Sequence, residues 1–310
     1  MTIHVFIDGA AGTTGIEIHD RLASRNEFEL IVLGNAERKS ETARRDALHT
    51  ADIAILCLPD DAAREAVALA EGSDTRIIDA SSAHRVADGW TYGFPELVGR
   101  DAVANAARVS NPGCYPTGFL ALVAPLVRAG LLPADWPYTF NAVSGYSGGG
   151  KALIERFEAS PEIAFRAYGL GMGHKHLPEM QKYAGLVHAP VFSPSVIPAM
   201  RGMVGDVPLP LQAMGAKSNP AELQGCLAAA YEDTPFITVH PLADAPTELL
   251  LERDAQPWDG LELWVFADTD ASQVRLVARL DNLGKGASGA AVQSLNLMCG
   301  LPETAGLRLA

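Results

Sequence analysis

Along the first third of the chain, short apolar runs alternate with segments of helical spacing. Ile3-His4-Val5-Phe6-Ile7 reads as a strand; a glycine-rich turn follows, and Ile16, Ile18 and Leu22 then recur along one helix face. Residues 30–33, 52–58, 76–80 and 108–110 repeat the strand signal. Between them, residues 60–71 carry Ala63, Val67 and Ala70 on one face behind the capping sequence Pro59-Asp60-Asp61, which predicts a helix. A run as continuously apolar as 52–58 suits a parallel strand buried on both faces. Strands alternating with helices predict a doubly wound α/β sheet, in which ligands gather at the carboxyl ends of the strands.

The pattern changes near Pro137. Residues 138–144, 191–197, 203–211, 261–267 and 273–280 read as longer strands with apolar and polar positions alternating. They predict an α+β domain with a largely antiparallel sheet, one face covered by helices and the other available to a partner subunit. Residues 145–151, Gly145-Tyr146-Ser147-Gly148-Gly149-Gly150-Lys151, read as a flexible loop rich in backbone N–H groups with one cation. The chain closes on Asp281-Asn282-Leu283-Gly284-Lys285-Gly286-Ala287-Ser288-Gly289 and a helix reaching Met298. Its small residues allow close approach to a backbone or a cofactor, and it is expected to return to the first domain.

The turn after the first strand is Asp8-Gly9-Ala10-Ala11-Gly12-Thr13-Thr14-Gly15. Glycines at 9, 12 and 15 let the backbone turn tightly, approach a pyrophosphate and pack helix on strand, while the helix N–H groups, with Thr13 and Thr14 in the first turn, receive the anion. The second strand leads into Gly34-Asn35-Ala36-Glu37-Arg38-Lys39-Ser40. Arg38, Lys39 and Ser40 suit the 2′-phosphate of NADP; the alternative is a solvated loop in which Glu37 takes the ribose of NAD.

Two further stretches carry chemistry. Asn111-Pro112-Gly113-Cys114-Tyr115-Pro116-Thr117 sets a cysteine on a sharp corner at the mouth of an expected helix, where unsatisfied N–H groups and the dipole favour the reactive thiolate. His174-Lys175-His176-Leu177-Pro178-Glu179 crowds two imidazoles and a carboxylate together. An imidazole beside a thiol can exchange its proton at neutral pH; the competing readings are a zinc site using His174, His176 and either Cys114 or Glu179, and a purely structural role. Ser81-Ser82-Ala83-His84-Arg85 ends its own strand, so that Arg85 either holds a substrate anion or forms an ordinary ion pair.

Composition narrows the classes. The 310 residues include 24 basic and 37 acidic ones, a net charge of −13, which disfavours nucleic acid and anionic membranes as partners. The four cysteines lie far apart in sequence and suggest neither a disulfide framework nor a zinc ribbon, in keeping with a reducing cytoplasm. The chain enters its first strand without a charged leader, and its longest apolar run, residues 118–127, is too short to span a bilayer.

Taken in order, residues 8–15, 56–60, 81–85, Tyr92-Gly93-Phe94-Pro95-Glu96-Leu97, 111–117, 174–179 and 282–291 resemble the shorter subgroup of N-acetyl-gamma-glutamyl-phosphate reductases. The resemblance spans nearly the whole chain. It implies a Rossmann-like dinucleotide-binding domain of residues 1–113 and 285–310 and an α+β catalytic and dimerisation domain of residues 114–284. It further implies NADPH-dependent reduction of an acyl phosphate through a cysteine thioester, in a homodimer or tetramer; no metal is expected, since a cysteine nucleophile at a dinucleotide crevice explains the same residues. Cys114 is then the nucleophile, His176 the favoured acid/base, with His174 on the substrate or oxyanion and Glu179 as their acidic partner. Asn282 and Gly286 join the cofactor ligands; Arg85, Ser144, Lys151 and Arg201 are the candidates for substrate. An aspartate-semialdehyde dehydrogenase-type reductase and a non-catalytic dinucleotide sensor are the alternatives.

Overall fold

The computed structural model describes residues 2–309. Met1 and Ala310, the outer ends of the expected nucleotide-binding segments, lie outside the described residues. The chain divides into two compact units, one running to Pro112 and taking up Ala287–Arg308, the other comprising Gly113–Gly286 with Leu309.

The first unit opens with β1 (Ile3–Asp8), α1 (Thr13–Leu22), β2 (Phe28–Ile31), α2 (Glu41–Thr50), β3 (Ile53–Leu56), α3 (Asp60–Leu69) and β4 (Arg76–Asp79). It continues through β5 (Thr91–Tyr92), α4 (Pro95–Val98), α5 (Arg100–Ala104) and β6 (Arg108–Ser110). Among the described residues these strands form one sheet in the order β2-β1-β3-β4-β6-β5, every pair parallel. Strand alternation sorts the core. Val5 and Ile7 pack with Ile18 and Leu22 of α1 on one face, while Phe6 points the other way against Ala47 and Leu48 of α2 and Ala66 and Leu69 of α3. Each such leucine, wholly removed from water, contributes about 1.5–3 kcal/mol. The second strand sits two residues earlier than the Leu30-Ile31-Val32-Leu33 run suggests. Its register on β1 runs from Ile3↔Phe28 to Phe6↔Ile31, and Val32, beyond the end of that ladder, is 45% exposed.

The second unit holds α6 (Cys114–Arg128), β7 (Thr139–Gly145), α7 (Gly150–Ala159), β8 (Arg166–Ala167), α8 (Leu177–Ala184), β9 (Val191–Ile197), β10 (Met203–Leu209), α9 (Leu211–Met214), α10 (Pro220–Ala230), β11 (Ile237–Val239), β12 (Leu261–Ala267) and β13 (Val274–Leu280). Among the described residues the strands form a mixed sheet in the order β11-β12-β13-β10-β7-β9-β8. Most pairs are antiparallel, as expected, but β7 with β9 and β11 with β12 are parallel. Long connections make this possible, because parallel neighbours need a crossover rather than a hairpin. Helix α6 is apolar on nearly all sides and almost wholly buried. A Cβ at its Gly118 would stand 3.4 Å from Ala278 and Leu280 of β13, so the helix lies directly on the sheet. Among the described residues no helix is long and apolar enough to cross a membrane.

After β13 the chain makes one π-type turn, Gly284–Ser288, and enters α11 (Gly289–Met298). Ala291, Val292, Leu295 and Met298 join the core of the first unit on the face that holds α1.

Candidate active site

The cysteine corner is built by local rules. Gly113 is extended (φ −73°, ψ 149°) and precedes a helix whose first residue is Cys114, and no side chain caps that helix end. Thr117 instead donates N–H and Oγ–H to the Gly113 carbonyl at 3.0 and 2.9 Å. The sulfur therefore stands, half-buried, where first-turn N–H groups and the helix dipole favour negative charge. The other cysteines are placed differently. Burial, aided by the charges of Asp79 and Asp8, pushes the Cys57 thiol up to about 12, and burial pushes Cys299 up to about 11. Both stay protonated and inert at neutral pH.

Helix α8 brings the double-histidine stretch to the same corner. Glu179, in its first turn and 1% exposed, accepts a hydrogen bond from the Gly113 N–H at 3.1 Å. Its carboxylate thus fixes the residue before the cysteine, a positioning task that sequence alone does not reveal. The His174 and His176 rings lie 4.6 Å apart, edge to face, and the His176 backbone N–H donates to His174 Nδ1 at 3.2 Å. An N–H can only donate, so this Nδ1 is the acceptor and the proton of neutral His174 sits on Nε2. Tyr115, next to the nucleophile, has both imidazoles within 6.3 Å and donates its hydroxyl to the Ser195 carbonyl. Burial raises its hydroxyl pKa, and Tyr168, hydrogen-bonded to it and also feeling the Cys114 charge, is pushed by burial up to about 12. The Cys-Tyr sequence hints at the first tyrosine; nothing in the sequence points to Tyr168. Among the described residues no group of three or more His, Cys, Asp or Glu side chains is placed to hold a metal ion.

The segment after β13 backs onto the sulfur. A Cβ at Gly286 would lie 2.8 Å from the Cys114 Cβ, and the Gly286 N–H donates to the Asp281 carbonyl at 3.0 Å. Arg201 is buried and ion-paired with the Asp281 carboxylate at 2.9 Å. Within this unit it buttresses the segment behind the cysteine. Asn282, 1% exposed, donates to Ser147 Oγ at 2.9 Å, and its buried Oδ1 has no hydrogen-bond partner among the described residues. The loop expected to be flexible at 145–151 is ordered: Tyr146–Gly149 form a 3₁₀ turn, and Gly145, Tyr146 and Ser147 donate N–H groups to Gly202, Ala199 and Met200. Ser144 is buried and hydrogen-bonds Tyr115, whereas Lys151 is exposed on α7. Lys285 points inward, 4.8 Å from the Phe236 ring.

In the first unit, Gly9 has φ +88°, and a Cβ there would lie 2.3 Å from the Cys57 carbonyl oxygen, so only glycine fits. A Cβ at Gly15 would lie 2.5 Å from the Gly9 carbonyl oxygen, which is how α1 seats on the turn. No side chain caps α1 at Gly12, leaving the N–H groups around Thr13 and Thr14 for an anion. The turn is steadied by Arg44, which donates twice to Asp8 Oδ2 at 2.9 and 3.0 Å. Burial outweighs that cation and raises the Asp8 pKa. Arg44 gave no sequence signal because α2 is mostly polar, with little beyond Ala47 and Leu48 to mark its buried face. Arg38 and Lys39 are exposed in the β2–α2 loop, and Ser40 caps α2 by accepting the Ala43 N–H at 3.3 Å. Arg85 is buried and donates to the Asn111 carbonyl at 3.0 Å, so it braces the approach to the corner rather than lying in a surface ion pair.

Two family models match the chain: the semialdehyde dehydrogenase NAD binding domain over residues 4–106 and the semialdehyde dehydrogenase dimerisation domain over residues 114–282. N-acetyl-gamma-glutamyl-phosphate reductase 2 of a Nostoc species is 48% identical over 319 residues, 98% of each chain. The N-acetyl-gamma-glutamyl-phosphate reductase of Burkholderia cenocepacia and reductase 2 of Pseudomonas putida are each 49% identical over 308 residues, 97% of this chain and 98% of theirs. The chain belongs to the N-acetyl-gamma-glutamyl-phosphate reductase family. It is an oxidoreductase of the NAD(P)-dependent semialdehyde dehydrogenase group. Its fold is shared with aspartate semialdehyde dehydrogenase II of Vibrio cholerae (TM-score 0.70, 20% identity, 97% of this chain and 99% of that one). A probable aspartate-semialdehyde dehydrogenase of Pseudomonas aeruginosa is similar (TM-score 0.71, 18% identity, 96% and 99%). At such identity only the architecture is held in common; the reductases, at 48–49%, separate this chain from that rival.

Proposed function

We propose that this chain reduces N-acetyl-gamma-glutamyl phosphate to the semialdehyde, with release of phosphate, as a step of arginine biosynthesis in the cytoplasm and as a homo-oligomer. The observation that carries the reading is Cys114 at an uncapped helix end, followed by a tyrosine against which two imidazoles pack, in a chain nearly half identical to reductases of that name. The matched dimerisation domain supports self-association.

Cys114 attacks the acyl carbon, the C–S bond forms, the C–O bond to phosphate breaks, and phosphate leaves with its electron pair. A thioester remains on the sulfur. NADPH, when bound, supplies the hydride that reduces it. His176 then donates a proton to the oxygen of the tetrahedral adduct and takes it back as the C–S bond breaks, returning Cys114 as thiolate and freeing the aldehyde. His174, neutral and protonated on Nε2, serves as a hydrogen-bond donor. Glu179 holds the corner, and Arg85, Ser144 and Lys151 remain the proposed substrate contacts, with Arg201 acting through Asp281. The glycine turn at Gly9, Gly12 and Gly15 with Thr13 and Thr14 would receive the pyrophosphate, and Asn282 and Gly286 remain proposed cofactor contacts.

Selection of NADP over NAD rests on Arg38 and Lys39, both exposed in the loop after β2, with Ser40 able to donate its hydroxyl while its oxygen caps α2. Arg38→Ala is expected to weaken NADPH about tenfold, the loss of one charge-assisted hydrogen bond, and to leave NADH nearly unchanged. Cofactor titrations of the two proteins check it, and equal losses for both cofactors defeat the assignment. The reaction itself is tested in reverse: oxidation of N-acetylglutamate semialdehyde must require inorganic phosphate. In the forward direction, turnover of the acetylated glutamyl phosphate should exceed that of aspartyl phosphate by on the order of 100-fold. Phosphate-independent oxidation, or equal use of both acyl phosphates, contradicts the reading.

A further inference from the structure

The stretch leading into the histidine pair has a composition of its own. Gly169-Leu170-Gly171-Met172-Gly173-His174 alternates glycine with large apolar residues, yet those residues face water: Leu170 is 80% exposed and Met172 57%. A Cβ built at Gly171 or Gly173 would meet no atom within 4 Å. The local backbone bond within the stretch is Met172 N–H to the Gly169 carbonyl at 2.9 Å, and Met172 has φ 62°, a left-handed conformation that its side chain disfavours. Its two ends are firm. Tyr168 donates its N–H to Pro194 of β9, His174 is packed against Tyr115, Phe192 and His176, and a Cβ at Gly169 would lie 3.9 Å from the His174 ring. Both ends therefore adjoin Tyr115, the residue that follows the nucleophile, through the His174 ring and the Tyr168 hydroxyl, while the middle projects into solvent.

We propose that residues 169–173 form a strap that folds over the acyl group held on Cys114, with Leu170 and Met172 covering its methylenes and acetyl methyl. The strap keeps water from the thioester. Cys114 is half-buried in the structure, so an acyl group on its sulfur would otherwise share that access with solvent and be lost to hydrolysis before reduction. Glycine at every second position supplies the backbone freedom for closure, and covering the two apolar side chains favours the closed state. The inference rests on the thioester reading of the function.

The test measures phosphate release from N-acetyl-gamma-glutamyl phosphate in the absence of NADPH, corrected for spontaneous decay with the Cys114→Ser protein. The parent enzyme should give a burst of one phosphate per active site and then slow release limited by thioester hydrolysis. The double variant Leu170→Ser/Met172→Ser should keep the burst and raise the slow phase at least about fivefold, as water gains access to the acyl carbon. The swap Leu170→Met/Met172→Leu should restore the parent rate. A parent enzyme with no burst would refute the thioester itself and leave the strap without an object. An intact burst with an unchanged slow phase in the double variant overturns the strap alone. So does a double variant that falls to a smaller assembly by light scattering while hydrolysis stays slow, since those side chains would then cover a subunit contact.

Discussion

Cys114→Ser is expected to lower semialdehyde formation by at least about 10³-fold, equivalent to roughly 4 kcal/mol of barrier. A serine hydroxyl is far less acidic than a thiol, so the helix-end environment that favours a thiolate leaves the alcohol protonated, and an oxygen ester is a poorer hydride acceptor than a thioester. The substitution removes no packing that the corner depends on: Gly113 stays tied to Glu179, and Thr117 stays tied to Gly113. Affinity for the dinucleotide, which we propose the glycine turn at residues 9–15 receives, is expected to stay within a factor of about two. Steady-state assays beside a cofactor titration separate the two effects. Turnover near the parent value would remove the sulfur from the mechanism.

The second large effect is expected at Gly286. A methyl group there would press within 2.8 Å of the Cys114 Cβ and 3.2 Å of its Cα, neither of which is the yielding end of a flexible side chain. Relief requires the corner or the turn to shift, and displacement of a nucleophile by about 1 Å is enough to cost about 10²-fold in kcat. Gly286→Ala should therefore lose most activity, with a modest fall in Tm. Gly225→Ala is the control: this glycine lies inside α10 with no atom within 4 Å of its Cβ position, and alanine there should raise stability by about 0.5–1 kcal/mol with unchanged turnover. Full activity in Gly286→Ala would show that the segment behind the cysteine is not set against it as tightly as described.

Features that depend on a few adjacent residues were legible in the sequence. The strand–glycine–helix start and the helix beginning at the cysteine follow from local backbone preferences, and residues 53–58 betrayed a doubly covered strand by being apolar without interruption. What depends on distant partners was not. Parallel pairing of β7 with β9 leaves the inward–outward alternation of each strand unchanged, so the pattern could not distinguish it from an antiparallel ladder. Helix α2 shows little beyond Ala47 and Leu48 to the core and reads as polar chain. The loop at 145–151 looked mobile because glycines dominate it, yet backbone bonds to Ala199, Met200 and Gly202 hold it in place. At the site, the types of residue were readable and their tasks were not: Glu179 binds a backbone N–H of the corner, and Arg201 is engaged by Asp281. Tyr168 enters only through the fold.

The central claim, a covalent acyl-enzyme on Cys114, is tested most directly by mixing the protein with N-acetyl-gamma-glutamyl phosphate without NADPH, quenching in acid, and mapping peptides by mass spectrometry. One N-acetylglutamyl adduct per chain is expected, on the peptide that contains Cys114, and hydroxylamine should remove it. Stoichiometric phosphate release with Cys114 unmodified, or an adduct that resides on Cys57, Cys226 or Cys299, would contradict it.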